Sequence, residues 1–291
     1  MGSTAMDEPI VNGPGEGELL RGKNRMFLVK VARPELSLIE YDAGADYEGA
    51  SPHYHERHTD AFYILEGELE FTLGLEIVLA PAGTAVVAPP GVVHAFTNAS
   101  GRRVRFLNIH APDAGFADYL RAAVRGEKAT FDSIDLDGPQ EPGGGTVLGP
   151  GEGTTYAVGT ATSLFKATKD ATAGAFSLAE ATIEPGTSGP PPHSHRELLD
   201  SFYVLEGTLT VQVGEEETDA PAGTYACVPP GNVHTFANRS DGPVRFLNLN
   251  TPGGWEDYIR DLAAATPADG PPDPRLMGEV LARHDVVLAS G

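Results

Sequence analysis

The chain has 291 residues, enough for two domains with buried cores. Its 41 acidic and 20 basic side chains give a formal charge of -21, a field that repels phosphate backbones and anionic lipid and so excludes nucleic acid and membrane as partners. The 35 glycines and 24 prolines, set among short blocks of Val, Leu, Ile and Phe, favour short strands joined by turns over long helices or disorder.

The single cysteine, Cys227, allows no internal disulfide and reads as a small buried hydrophobe. No basic segment followed by an apolar run opens the chain, and no stretch is long and apolar enough to span a bilayer. A cytoplasmic location is the expectation.

Along the chain, the breaker-rich Gly13-Pro14-Gly15-Glu16-Gly17 comes first, and it recurs as Gly149-Pro150-Gly151-Glu152-Gly153. Next are His53 and His55, two residues apart. Phe62 to Leu65 is a dense apolar strand closed by Glu66-Gly67, and Glu68 to Leu73 is a second strand closed by Gly74. Ala85 to Ala88 runs into the Pro89-Pro90-Gly91 turn, Val93 to Phe96 resumes, and Val104 to Ile109 follows. Apolar residues at Phe116, Tyr119 and Leu120 predict a short helix over 115–125.

From His53 to Asn108 this series repeats at a constant offset of 140, turns included. The second copy ends in a predicted helix over 255–265, with Trp255, Tyr258, Ile259 and Leu262 at helical spacing. Two copies of one pattern mean two domains of one fold: an N-terminal barrel over 1–136, a linker over 137–148 rich in Gly and Pro, and a C-terminal barrel with a helical tail over 149–291.

Six of the nine histidines form two matched triplets: His53, His55 and His94, then His193, His195 and His234. Residues two apart on a strand share a face, and two strands facing one interior can bring three imidazoles together. Three neutral imidazoles with open positions suit a reactive divalent transition metal, one per barrel, from Fe, Ni, Co, Cu and Zn. Isolated core histidines have no need to repeat as sets.

The chain resembles the cupins, whose motifs are G-x5-H-x-H-x3-4-E-x6-G and G-x5-P-x-G-x2-H-x3-N. The second motif is met in full by Gly83, Pro89, Gly91, His94 and Asn98, and again by Gly223, Pro229, Gly231, His234 and Asn238. The first is met at His53, His55 and Gly67, and at His193, His195 and Gly207. The resemblance covers nearly all of residues 13–265. It implies an all-β fold of two tandem jelly-roll (double-stranded β-helix) barrels, each with a short C-terminal helix.

Within the family, His53-Tyr54-His55-Glu56 running into Phe62-Tyr63-Ile64-Leu65-Glu66-Gly67 is similar to bacterial two-cupin proteins of the quercetin (flavonol) dioxygenase type. That resemblance implies oxidative cleavage of a small enol, flavonol or diketone-like substrate, with dioxygen as co-substrate, in a monomer or homodimer. The alternatives on the same fold are a metal-dependent isomerase, cyclase or decarboxylase, and a non-enzymic small-molecule-binding protein.

The sequence departs from the motif in two places. Tyr47 and Thr187 stand where the first motif opens with glycine, although Gly49, Gly186 and Gly189 lie nearby. The family's Glu ligand is replaced by Asp60 and Asp200, one methylene shorter. Three roles are open to these aspartates: a base beside a metal-bound water, a fourth ligand on a backbone that has moved inward, or a lost ligand that leaves a three-histidine site.

His58 reads as mouth lining or surface, because the second copy has Leu198 there, and His110 and His284 read as structural. Glu40 and Glu180 match across copies and read as solvated. With His58 and Tyr54 near its site, against Leu198 and Ser194, the first barrel is expected to carry most of the turnover.

Overall fold

The long strands Thr59–Glu66 and Val104–Ala111 are buried almost throughout, whereas Glu68–Leu73 buries one face. In Glu68–Leu73 the pattern alternates strictly, with Leu69, Phe71 and Leu73 turned inward. The computed structural model describes residues 8–266 and 273–289. It is an all-β protein with three short helices, α1 (Phe116–Val124), α2 (Trp255–Ala265) and α3 (Pro274–Arg283). The first two fall where their apolar spacing predicts. None of the helices among the described residues is long and apolar enough to cross a membrane.

The strands form two compact units, each made of a seven-stranded and a five-stranded antiparallel sheet. In the first unit the larger sheet runs, edge to edge, Thr146–Leu148, Ala85–Ala88, Thr59–Glu66, Val104–Ala111, Leu36–Ala43, Arg25–Arg33 and Glu18–Arg21. The smaller runs Ile134–Asp135, Ala50–Tyr54, His94–Thr97, Glu68–Leu73 and Glu76–Pro81. The second unit repeats this order, with Ile10–Asn12 at the place of Thr146–Leu148 and Val287–Leu288 at the place of Ile134–Asp135.

The units interleave along the chain. The first comprises 16–152 with 170–175, and the second, among the described residues, takes 8–15, 153–169, 176–266 and 273–289. Ile10–Asn12 pairs with Tyr225–Cys227 in the second barrel, and Thr146–Leu148, within the stretch read as linker, pairs with Ala85–Val87 in the first. Strands of three residues carry too little periodicity to stand out beside glycine-rich turns.

The cores differ in composition. The first contains Phe27, Tyr41, Tyr47, Phe62, Phe71, Phe96 and Phe106 in one cluster, whereas the second relies on Ile183, Val204, Leu209, Val211 and Val244 around Phe202 and Phe246. Glu40 and Glu180 are not solvated. Each faces a fully buried lysine (Lys30 at 3.9 Å, Lys166 at 3.6 Å) and an arginine (Arg105, Arg245) across neighbouring strands. A buried ammonium needs such a counter-charge, and burial still holds Lys30 below the ordinary lysine pKa.

The missing motif glycine is supplied two residues later. Gly49 (φ +76°) and Gly189 (φ +67°) pass so close to the following histidine-bearing strand that a Cβ would sit 1.8 Å from Phe96 O and 1.9 Å from Phe236 O. Gly91 has a similar φ of +84° but nothing within 4 Å. Gly91→Ala should therefore cost about 1 kcal/mol, the left-handed penalty alone. Gly49→Ala should cost clearly more, because backbone must also move. Chemical denaturation of the two variants checks this, and equal losses would contradict the close-approach account.

Candidate metal centres

In the first barrel, His53 and His94 are direct cross-strand partners on Ala50–Tyr54 and His94–Thr97, with ring centroids 4.3 Å apart. His55 follows its strand by one residue and brings its ring within 4.9 Å of His53 and 5.0 Å of His94. All three are buried. Each ring is oriented from behind: Nδ1–H of His53 donates to Ser51 O (2.7 Å), that of His94 to Val92 O (2.9 Å) and that of His55 to Asp132 O (2.5 Å). With the proton on Nδ1, the lone pair of each neutral ring is on Nε2, and the three Nε2 atoms converge.

The second barrel repeats the arrangement. His193 opposes His234 in register at 4.5 Å between centroids, and His195 lies 5.0 Å from His193. Their Nδ1–H groups donate to Pro191 O (3.1 Å), Asn232 O (3.0 Å) and Asp285 O.

These residues fit a divalent metal. Nε2 of His55 and Nε2 of His195 are buried with no hydrogen-bond partner, a costly state for a lone pair. Nε2 of His94 lies 3.3 Å from Asp60 Oδ2, and Nε2 of His234 lies 3.2 Å from Asp200 Oδ2. Each is a pair of acceptors turned on one another, which a shared cation reconciles. Burial, reinforced by the neighbouring His94 or His234, pushes His53 and His193 down to a pKa of about 4, so both rings are neutral at physiological pH.

The carboxylates are not placed alike. In the first barrel the ligand atoms of His53, His55, Asp60 and His94 all lie within 4.8 Å of one another, whereas in the second only the three histidines meet that spacing. Asp60 Oδ2 is 3.6 Å from His55 Nε2, and Asp200 Oδ2 is 3.9 Å from His195 Nε2. The other oxygen is held from behind: Asp60 Oδ1 accepts from Asn108 (2.5 Å), and Asp200 Oδ1 accepts from Asn248 (2.6 Å) and Asn250 (2.7 Å).

His58 is neither mouth lining nor surface. It is 1% exposed, because a carboxylate and an imidazole inside the barrel satisfy both its nitrogens. Its Nδ1 lies 2.9 Å from Asp132 Oδ2 and its Nε2 lies 2.8 Å from His110 Nδ1. Nε2 of His110 then reaches Asn108 Oδ1 at 3.0 Å and Asp60 Oδ1 at 3.4 Å. A buried chain of polar groups thus runs from Asp132 to Asp60. Leu198 and Asn250 replace its two histidines in the second barrel. His284 lies apart from both sites, paired with Asp261.

Asp132 and Asp285 were missed in the sequence. Their carbonyls orient His55 and His195, and their carboxylates accept backbone N–H groups from Glu56 and Arg57 and from Arg196, Glu197 and Leu198, which fixes the turn after each histidine pair. They lie 153 residues apart, out of step with the 140-residue repeat, so a constant-offset comparison passes over them.

A cavity of about 620 Å³ opens onto the first site. His53, Asp60, Asn108 and His110 meet Tyr41, Tyr47, Phe96 and Phe131 there, with Arg25 at the rim lying over the Phe27 and Tyr47 rings. Strand register places Ala161 and Ala181 in the second barrel at the positions of Arg25 and Tyr41, matching backbone bonds from Asn98 and Asn238 place Thr187 at that of Tyr47, and Trp255 stands edge-on to His195 at 5.5 Å.

Asp132→Ala and Asp285→Ala should each weaken Co(II) binding about 10- to 100-fold, and only in their own barrel. Titration against a competing chelator measures this, and unchanged affinity would remove the positioning role. The metal-free protein should lose stability as pH falls from 6.5 to about 4, because over that window His53 and His193 bind protons in the unfolded chain but not in the folded one. Urea midpoints at pH 7 and pH 4.5 test the sign, and a higher midpoint at pH 4.5 would contradict it.

The description "Cupin domain" matches residues 37–110 and 179–250, one copy on each barrel and together half of the chain. Quercetin 2,3-dioxygenase of Bacillus subtilis strain 168 is 25% identical over 296 residues, spanning 87% of this chain and 86% of its own. The oxalate decarboxylase of Lactobacillus farciminis, solved as a formate complex, superposes with a TM-score of 0.61 at 13% identity, over 87% of this chain and 88% of that one. Procruciferin, an 11S globulin of Brassica napus, gives 0.60 at 11% identity, over 85% of each chain. At these identities the two solved structures share the fold alone. The chain belongs to the cupin family, and with one cupin domain on each barrel it is a bicupin.

Proposed function

We propose that this bicupin is a metal-dependent dioxygenase of a small enolic substrate, of flavonol or β-diketone type, and that the first barrel carries most of the turnover. One observation supports this above the rest: in the first barrel three imidazole lone pairs and a carboxylate converge, and two of that set, His53 and Asp60, line an aromatic cavity. The likeness to quercetin 2,3-dioxygenase over 87% of the chain points to the same chemistry. His58 is buried behind Asp60 and does not reach a substrate, so the feature that favours this barrel is its cavity, lined by Tyr41, Tyr47, Phe96 and Phe131.

A divalent transition metal on His53, His55 and His94 would supply Lewis acidity toward the enol oxygen and a route for electrons to dioxygen. The protein does the rest. Asp60 Oδ2 takes the enol proton, while Asn108 donates to Oδ1 and keeps the carboxylate from swinging away. Burial pushes the Tyr47 phenol up to about 12, so it remains a hydrogen-bond donor at neutral pH. Phe96 and Phe131 exclude water and match a planar body.

Oxygen uptake with a flavonol and with a β-diketone, on protein loaded in turn with Fe(II), Mn(II), Co(II), Ni(II) and Cu(II), tests the reaction class. Asp60→Asn should lower turnover about 10²- to 10⁴-fold at retained metal content, the range of a lost general base. His94→Ala should abolish uptake, and His234→Ala should leave most of it. Loss confined to His234→Ala would transfer the chemistry to the second barrel. Decarboxylation of a carboxylic acid without net oxygen uptake would replace the oxygenase with the decarboxylase alternative.

A further inference from the structure

Arg25 begins the strand Arg25–Arg33, two residues before the buried Phe27, so its side chain leaves on the inward face and lines the mouth of the first cavity. There its guanidinium lies over the Phe27 and Tyr47 rings, 5.4 and 5.5 Å from their centroids. Its stem takes the space beside Gly22, where a Cβ would stand 2.9 Å from Arg25 Cγ. A guanidinium packed on ring faces keeps its edge N–H groups for a ligand, and that planar fork matches the two oxygens of a carboxylate.

Among the described residues no carboxylate pairs with Arg25, nor with its neighbours Arg21 and Lys23, and all three are exposed. Arg21, Lys23, Arg25 and Arg103 line a hollow beside the mouth in which Asp42 is the single acid, and Asp42 is already taken by Arg103 at 2.6 Å. Asp46 accepts from Asn24. In a chain at -21 this is a local reversal of sign.

The second barrel serves as an internal control. Its hairpin of the same length, Ala157-Val158-Gly159-Thr160-Ala161, stands in register with Arg21-Gly22-Lys23-Asn24-Arg25 and carries no charge. The fold therefore has no need of cations there. The cations and the tyrosines accompany one another: where the hairpin is neutral, Ala181 and Thr187 replace Tyr41 and Tyr47.

We propose that the first cavity takes an enolic substrate bearing a carboxylate, with the enol toward His53 and Asp60 and the carboxylate at the mouth on Arg25. This rests on the reading of the cavity as the substrate site, and it narrows the substrate to an acid. Charge explains the device. A chain at -21 repels a free anion over most of its surface, and a cationic mouth offsets that field locally and steers the acid inward. A neutral substrate would need no such patch.

Isothermal titration of the Zn(II)-loaded protein at neutral pH, with benzoylacetone and with para-carboxybenzoylacetone, tests the proposal without turnover. The acid should bind the parent about tenfold more tightly, the scale of one charge-assisted fork at a wet rim. The ratio of the two affinities should shrink as salt is raised. R25Q should bring it close to one. The exchange R21A/K23G/R25A installs the residues with which the second barrel already folds, and it should do the same with unchanged circular dichroism. Equal affinities in the parent, or a preference that survives R25Q and the triple exchange, overturns the proposal. A preference that is lost with R25Q, in a protein that takes up no oxygen with either compound, removes the dioxygenase reading and keeps the anion site. Failure of both compounds to bind removes the substrate cavity, and the proposal with it.

Discussion

Everything at the two sites depends on one recurring hydrogen bond, from imidazole Nδ1–H to a main-chain carbonyl. It occurs at all six histidines: three carbonyls per barrel hold the rings, and each ring's lone pair is left on the nitrogen that faces its neighbours. A carbonyl is a fixed acceptor, so the tautomer is set by the backbone and not by a movable side chain. The strands supply the rest of the geometry. His53 opposes His94 and His193 opposes His234 because those are register partners, and a one-residue slip would turn the histidines to the other face.

On that shared frame the two barrels have diverged in the layers around the metal ligands. Behind the first site stand His58 and His110, and behind the second Leu198 and Asn250, so the aspartate is held by one amide backed by an imidazole chain in one and by two amides in the other. In front of the sites, Tyr41 and Tyr47 give way to Ala181 and Thr187. Duplicate candidate metal sites with unlike walls are what the proposed division of labour requires, with turnover in the first barrel.

The sequence made the candidate ligands plain because the spacing a shared face demands is rigid. His53 and His55 must be two apart to share a face, and His94 must follow its Pro-Pro-Gly turn at a set distance. Both constraints repeat in the second copy. The fold was equally plain, since turns and strands recur together. Contacts between residues far apart in the chain were hidden. His58 looked superficial because its partners lie 74 and 52 positions away. Asp132 and Asp285 stand beyond the helices, where the second copy gains α3 and loses step with the first. Side-chain length alone could not set the reach of Asp60, because the placement of its strand also sets it, and Oδ2 lies 3.3 Å from Nε2 of His94.

The central claim is that each barrel is a metal seat built from its own three histidines. Elemental analysis of the untagged protein, after exhaustive dialysis against metal-free buffer, tests it most directly when done beside the two triple variants H53A/H55A/H94A and H193A/H195A/H234A. The account predicts two divalent metal ions per chain in the parent and one in each variant. A parent that retains none, or variants that retain as much as the parent, would contradict it.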